Sequence, residues 1–204
     1  MGTSMAILRA LAITVALAFF AVASSAPVTR RPSRPSPNLR YIMSSCRVTQ
    51  YPRECYQSLS LYARRIQTSP KVLIHTALTV TQRAAMSASW TMRRAAKLRG
   101  LRPIEASAIG DCVEVVGESV DGLGRSAGEM GRLVRAGLRM NRRDVSNIQT
   151  WVSAAFTDAS TCMDGLVESK LRHNVKAVVT THLVKISRLE SNILALLNKY
   201  PAGA

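Results

Sequence analysis

Ile104–Leu123, IEASAIGDCVEVVGESVDGL, decides how the rest of the chain is read, because it puts two unlike faces on one helix. At about 100° per residue, Ala108, Cys112, Val115, Val116, Ser119, Val120 and Leu123 fall on one side. Glu114, Glu118 and Asp121 fall on the other at i, i+4, i+7 spacing, with Asp111 flanking them. The first face suits the core of a helical bundle. The second is free to meet a partner. A solvated surface explains such a stripe equally well, since like charges at this spacing repel by only a few tenths of a kcal/mol per pair. It stands out here because the chain has 12 Asp and Glu against 28 Lys and Arg, a formal charge of +16.

The same period continues on both sides. Ser69-Pro70, an N-cap followed by proline at the first helical position, opens a long helix to about Arg99, with Leu73, Ala77, Val80, Ala84, Ala88, Ala95 and Leu98 on its stripe. Gly100 is placed to end it. The opening helix runs from Pro103 to about Ala127, and 128–143, GEMGRLVRAGLRMNRR, reads as a frayed continuation and a loop. A third long helix is expected from Ser146, where S-x-x-Q is a capping box, with Ile148, Val152, Ala155, Ala159, Cys162 and Leu166 inward. A fourth is expected from about Ser169 to Lys199, with Leu171, Val175, Val178, Val179, Ile186, Leu189, Ile193, Leu196 and Leu197 inward and Pro201 stopping it. Residues 39–65 read as two short helices broken at Tyr51-Pro52. Aromatic content is only 5%, and no segment has the period of a strand. The fold class is therefore all-α: an up-down-up-down four-helix bundle over 39–200, preceded by an N-terminal helical hairpin.

The N-terminus reads as an export signal over residues 1–26. Arg9 precedes the apolar run Ala10–Ala23, and small residues follow at Ala23, Ser24, Ser25 and Ala26. That run is short for a membrane span, which takes about 20 residues, so a secreted chain without a membrane anchor is expected. Residues 27–38, PVTRRPSRPSPN, read as a disordered, basic, Pro-rich tail. Export makes disulfides the natural state of Cys46, Cys55, Cys112 and Cys162, whose spacings match no zinc pattern; four cysteines allow three pairings.

No catalytic constellation, metal site or cofactor fingerprint is found. His75, His173 and His182 lack an acid or Cys at ligand spacing, and His182 reads as a core histidine. The glycines near Gly122 and Gly124 follow no strand, so they form no phosphate loop. Trp90 and Trp151 are isolated, which argues against base stacking and hence against nucleic acid as the partner of the positive charge. An acidic extracellular polymer such as pectin fits that charge better.

Four blocks carry a resemblance: CRVTQYPRECYQSLS (46–60), GDCVEVVGESVDGL (110–123), IQTWVSAAFTDASTCMDG (148–165) and ISRLESNILALLNKY (186–200). In order and content the chain resembles plant invertase and pectin methylesterase inhibitors over about residues 38–200. The resemblance implies the same hairpin and bundle, and the pairing Cys46–Cys55 and Cys112–Cys162. Val145-Ser146-Asn147 stands where invertase inhibitors carry Pro-Lys-Phe, and with TWVSAAFTD this points to the pectin methylesterase branch. It implies a secreted, non-catalytic protein of the apoplast that covers the esterase's substrate cleft in a one-to-one complex. Glu114, Glu118, Asp121 and Thr161 match the family's contact positions. Gly117, Gly122, Gly124 and Val116 depart from the family's usual choice of better helix formers and an aromatic. Acid invertase inhibition, and pectin binding without inhibition, are the rival expectations.

Overall fold

The structure, a computed structural model, describes residues 35–200. The expected export signal and most of the expected tail lie outside them. Helix α1 (Pro37–Cys46) starts within the last residues read as tail, because the Ser36 side chain accepts from the Leu39 amide and Pro37 sets the first turn. After the Tyr51-Pro52 break come α2 (Pro52–Leu59), a 3-10 turn (Ser60–Tyr62) and the single turn α3 (Ala63–Ile66). Cys46 and Cys55 form a disulfide with Cα atoms 5.6 Å apart, closing the α1–α2 hairpin.

Four long helices follow: α4 (Pro70–Ala95), α5 (Pro103–Arg135), α6 (Arg142–Glu168) and α7 (His173–Lys199). Short connections make each antiparallel to the next. Neighbours pack in a ring, α4 on α5, α5 on α6, α6 on α7 and α7 back on α4, so the α4/α7 groove lies opposite the α5/α6 groove. Buried Leu73, Leu78, Ile109, Leu123, Ile148, Leu183 and Ile193, among others, form one continuous core. Buried Asn192 docks the hairpin on α7: its Oδ1 accepts from the Tyr51 amide and its Nδ2 donates to the Tyr51 carbonyl, each at 3.0 Å.

Four helix boundaries differ from the sequence reading. Helix α4 stops at Ala95, and Leu98 is exposed; Gly100, at φ +76°, sits in the loop beyond. Helix α5 continues through the glycine-rich piece to Arg135, since Met130 and Leu133 are fully buried and Gly131 lets His75 approach. Gly137, at φ +64°, ends it in a Schellman motif, with the Leu138 amide donating to the Leu133 carbonyl and the Gly137 amide to that of Val134. Helix α6 begins at Arg142 rather than near Ser146. Asn141 and Asp144 form the capping box, and Met140 and Val145 flank it as a buried staple. Helix α7 begins at His173, and Val178 faces out while Leu183 faces the core.

Candidate functional site

Helix α5 reaches the α5/α6 groove with its inner face committed to Ile109, Cys112, Val116, Ser119 and Leu123. Val116 is fully buried, so it cannot touch a partner. Ala108, expected inside, lies at the groove edge, and Ile109 takes its place in the core. Cys112 is bridged to Cys162 with Cα atoms 4.8 Å apart, which pins α5 against α6 at one level. Nearly three turns further along α5, Gly122 brings the backbones together: a Cβ there would lie 3.3 Å from the Trp151 carbonyl oxygen. These two close points fix how the outer faces of the helices are presented.

On that outer surface Asp111, Glu114, Glu118 and Asp121 are all exposed, and none forms an ion pair among the described residues. Asp111 lines the groove beside the Cys112–Cys162 bridge, together with exposed Thr161, whose hydroxyl donates to the Thr157 carbonyl at 3.1 Å. Glu118 and Asp121 line the lower part with Arg125 and Trp151, the Arg125 guanidinium lying 5.7 Å from the Trp151 ring centre. Glu114 is exposed on the same side of α5, one turn before Glu118. The packing thus places Glu118, Asp121 and, higher up, Thr161 along the α5/α6 groove, with Asp121 also lining the α4/α5 groove beside Trp90 and Arg93.

One further member of this groove closes the TWVSAAFTD string, which does not disclose its role. Asp158 of α6 accepts from the Ser119 hydroxyl at 3.1 Å, within the same groove as Glu118. Burial pushes its carboxyl above the ordinary range, the Glu118 charge adds to that push, and the Ser119 hydrogen bond opposes it. Its i, i+7 relation to Trp151 is visible in the sequence, but its pairing with Ser119 depends on helix register. Glu105 carries no signal in the sequence beyond its place in the first turn of α5. It is fully buried at the N-terminus of α5 and accepts from the Arg102 amide at 2.8 Å and the Arg172 amide at 2.9 Å, which joins the α4–α5 and α6–α7 loops. The Arg102 hydrogen bonds hold this carboxyl down at about 2.

Among the described residues there is no group of three or more His, Cys, Asp or Glu able to hold a metal. His182 is half-buried at the α4/α7 edge, its Nε2 3.5 Å from the Thr91 hydroxyl, rather than in the core. No described helix is long and apolar enough to cross a membrane.

A helical hairpin on a disulfide-pinned four-helix bundle, with four exposed carboxylates along the outer side of α5, presents a rigid helical surface. The description "Plant invertase/pectin methylesterase inhibitor" matches residues 40–196, and the chain belongs to that family. It is 38% identical over 192 residues to a Daucus carota protein described as a 21 kDa protein, covering 94% of each. It is 41% identical over 163 residues to pectinesterase inhibitor 10 of Arabidopsis thaliana, covering 80% of this chain and 52% of that one. A crystal structure of a mutant pectin methylesterase inhibitor from Arabidopsis has the same fold, with a TM-score of 0.62 at 21% identity over 78% of this chain and 97% of that one. The family is one of non-catalytic inhibitors, in keeping with the expectation that this chain is not an enzyme.

Proposed function

We propose that the chain is a secreted inhibitor of pectin methylesterase that lays its α5/α6 face over the enzyme's substrate cleft in a one-to-one complex in the plant cell wall. The observation that carries this reading is the row Asp111, Glu114, Glu118 and Asp121, exposed and unpaired on a protein of charge +16. A cleft that accepts an anionic uronate polymer offers cationic groups, and a row of carboxylates meets them. No bond is made or broken by the inhibitor; occupancy alone excludes the polymer. The Cys112–Cys162 bridge and the close Gly122–Trp151 approach hold the face in its binding geometry beforehand, so little ordering cost falls on association. Thr161 and Asp158 line the same face and supply hydroxyl and carboxylate contacts beside the row.

The test mixes the secreted protein with a plant pectin methylesterase and, separately, with an acid invertase. Inhibition of the esterase alone is expected. The double variant Glu114→Lys, Glu118→Lys is expected to weaken inhibition about a hundredfold or more while leaving the helical circular dichroism unchanged. Inhibition of invertase alone rejects the proposed target, and full inhibition by the double variant reduces the acidic row to a wet surface.

A further inference from the structure

The groove opposite the acidic face has the reverse character. Seven Lys and Arg crowd the end of the bundle where the C-terminal turns and loop of α4 meet the N-terminal turns of α7, against the carboxylates of Glu105 and Glu168, while Arg93 of α4 faces the α4/α5 groove with Asp121. Arg102 and Arg172 are turned towards Glu105, at 3.2 and 3.9 Å. The other five, Arg94, Lys97, Arg99, Lys170 and Lys176, have no carboxylate within ion-pair distance among the described residues. Hydrogen bonds from Arg102 to the Ser169 and Lys170 carbonyls lock the two loops together, so these charges form one patch and not two independent loops.

Within the patch, α4 and α7 leave an open cavity of about 520 Å³. Its walls carry Arg94 and Lys97 on one side and the amide of Asn174 on the other, and its floor is apolar, with Leu98 and Val178 each about half exposed. The Arg94 guanidinium lies 4.6 Å from the ring centre of exposed Trp90, which itself lines the neighbouring α4/α5 groove. The Asn174 Oδ1 accepts from the Val175 amide at 2.9 Å, which leaves its Nδ2 to donate; cations, this donor and apolar surface in one groove match a chain of sugar acids, whose rings present carboxylates, hydroxyls and CH faces together. An acyl chain would leave the amide and the cations on the walls unused. Arg94 and Lys97 stand about one helical turn apart, a spacing on the scale of a single sugar ring.

We infer that the α4/α7 end is a binding site for an anionic uronate polymer, separate from the face that meets the enzyme. The polymer's identity rests on the proposed function, since ester hydrolysis of pectin exposes such carboxylates; the cationic groove stands without it. Because the α4/α7 and α5/α6 grooves lie on opposite sides of the bundle, polymer and enzyme can be held at once. The acidic row repels a polyanion, which directs it to the α4/α7 end.

The experiment passes the secreted protein over immobilised polygalacturonate and over fully methyl-esterified pectin in rising NaCl. Retention on polygalacturonate at about 0.1 M salt, and much less on the esterified polymer, is expected. The triple variant Arg94→Gln, Lys97→Gln, Lys176→Gln should bind polygalacturonate about tenfold more weakly with a shallower salt dependence. Arg139→Gln, Arg142→Gln, Arg143→Gln at the opposite end removes the same charge and should bind as the parent does. Equal losses in both variants would mean attraction to net charge alone and overturn the site. Tighter binding to phosphatidylserine vesicles or to duplex DNA than to polygalacturonate would overturn the assigned ligand. Esterase inhibition measured on the same sample keeps the two proposals apart: retention without inhibition removes the proposed function, and inhibition without retention removes this site.

Discussion

Glu190 is a carboxyl in the wrong solvent. It is fully buried on α7, neither oxygen has a hydrogen-bond partner, and burial, reinforced by Asp158, pushes its pKa up to about 8. In the unfolded chain it titrates near 4.5, so the native protein binds one more proton between these values. Stability is therefore fully present below about pH 4.5 and is lost as pH rises towards 8, by on the order of 3–5 kcal/mol. Glu105 works in the opposite window: its pKa of about 2 gives stability present above 4.5 and lost as pH falls to 2. The fold is thus expected to be most stable in mildly acidic solution. Melting temperatures of parent and Glu190→Gln from pH 4 to 8 check this; the parent should fall and the variant stay level. Equal slopes would mean that Glu190 finds a partner or stays neutral in both states. None of this was legible in the sequence, where Glu190 sits among polar neighbours in SRLESN and only the register of α7 turns it inward. The exposed acids were legible, because a helix of known phase fixes which side is outward. Asp158 was not, since its environment is made by Ser119 from another helix.

At the scale of the helix, what the sequence hid was where elements begin and end. Two capping boxes competed for the start of α6, Ser146 with Gln149 and Asn141 with Asp144, and the earlier one prevails because it also buries Met140 and Val145. Local signals tie; the tertiary contact decides. Glycine gives the sharper lesson in α5. All three glycines of 117–124 read as weaknesses worth about 1 kcal/mol each relative to alanine. The packing separates them. A Cβ at Gly117 meets nothing within 4 Å, whereas one at Gly122 presses on the Trp151 carbonyl oxygen at 3.3 Å. Gly117→Ala should therefore stabilise by roughly 0.5–1 kcal/mol, and Gly122→Ala should destabilise by forcing α6 away. Denaturant midpoints settle the pair, and a stabilising Gly122→Ala would show that the helices are not held as close as described. The bridge Cys112–Cys162, which closes a separation of 50 residues, is expected to contribute about 4 kcal/mol, so Cys112→Ala with Cys162→Ala should lose that much and loosen the α5/α6 face with it.

For the molecule as a whole, the proposed function asks whether a protein of charge +16 can be drawn to a cleft with cationic groups at all. Distance decides. At about 0.01 M salt the Debye length is about 30 Å, comparable with the bundle, and a partner feels the whole positive charge. At about 0.1 M it shrinks to about 10 Å, and the approaching surface feels mainly what lies in front of it. The row from Asp111 to Asp121 spans ten residues of helix, about 15 Å, so it fills that window while the cations at the bundle ends drop out. Above about 0.5 M the row is screened as well. Association with the esterase should accordingly be fastest at intermediate ionic strength, near 0.1 M, and slower on either side. Glu114→Gln with Glu118→Gln should flatten the maximum by removing the local attraction while leaving the long-range repulsion. Association rates by surface plasmon resonance across that salt range decide the matter. A rate that climbs steadily to 0.5 M in the parent would mean repulsion alone governs the encounter, and the carboxylate row would have no part in bringing the two proteins together.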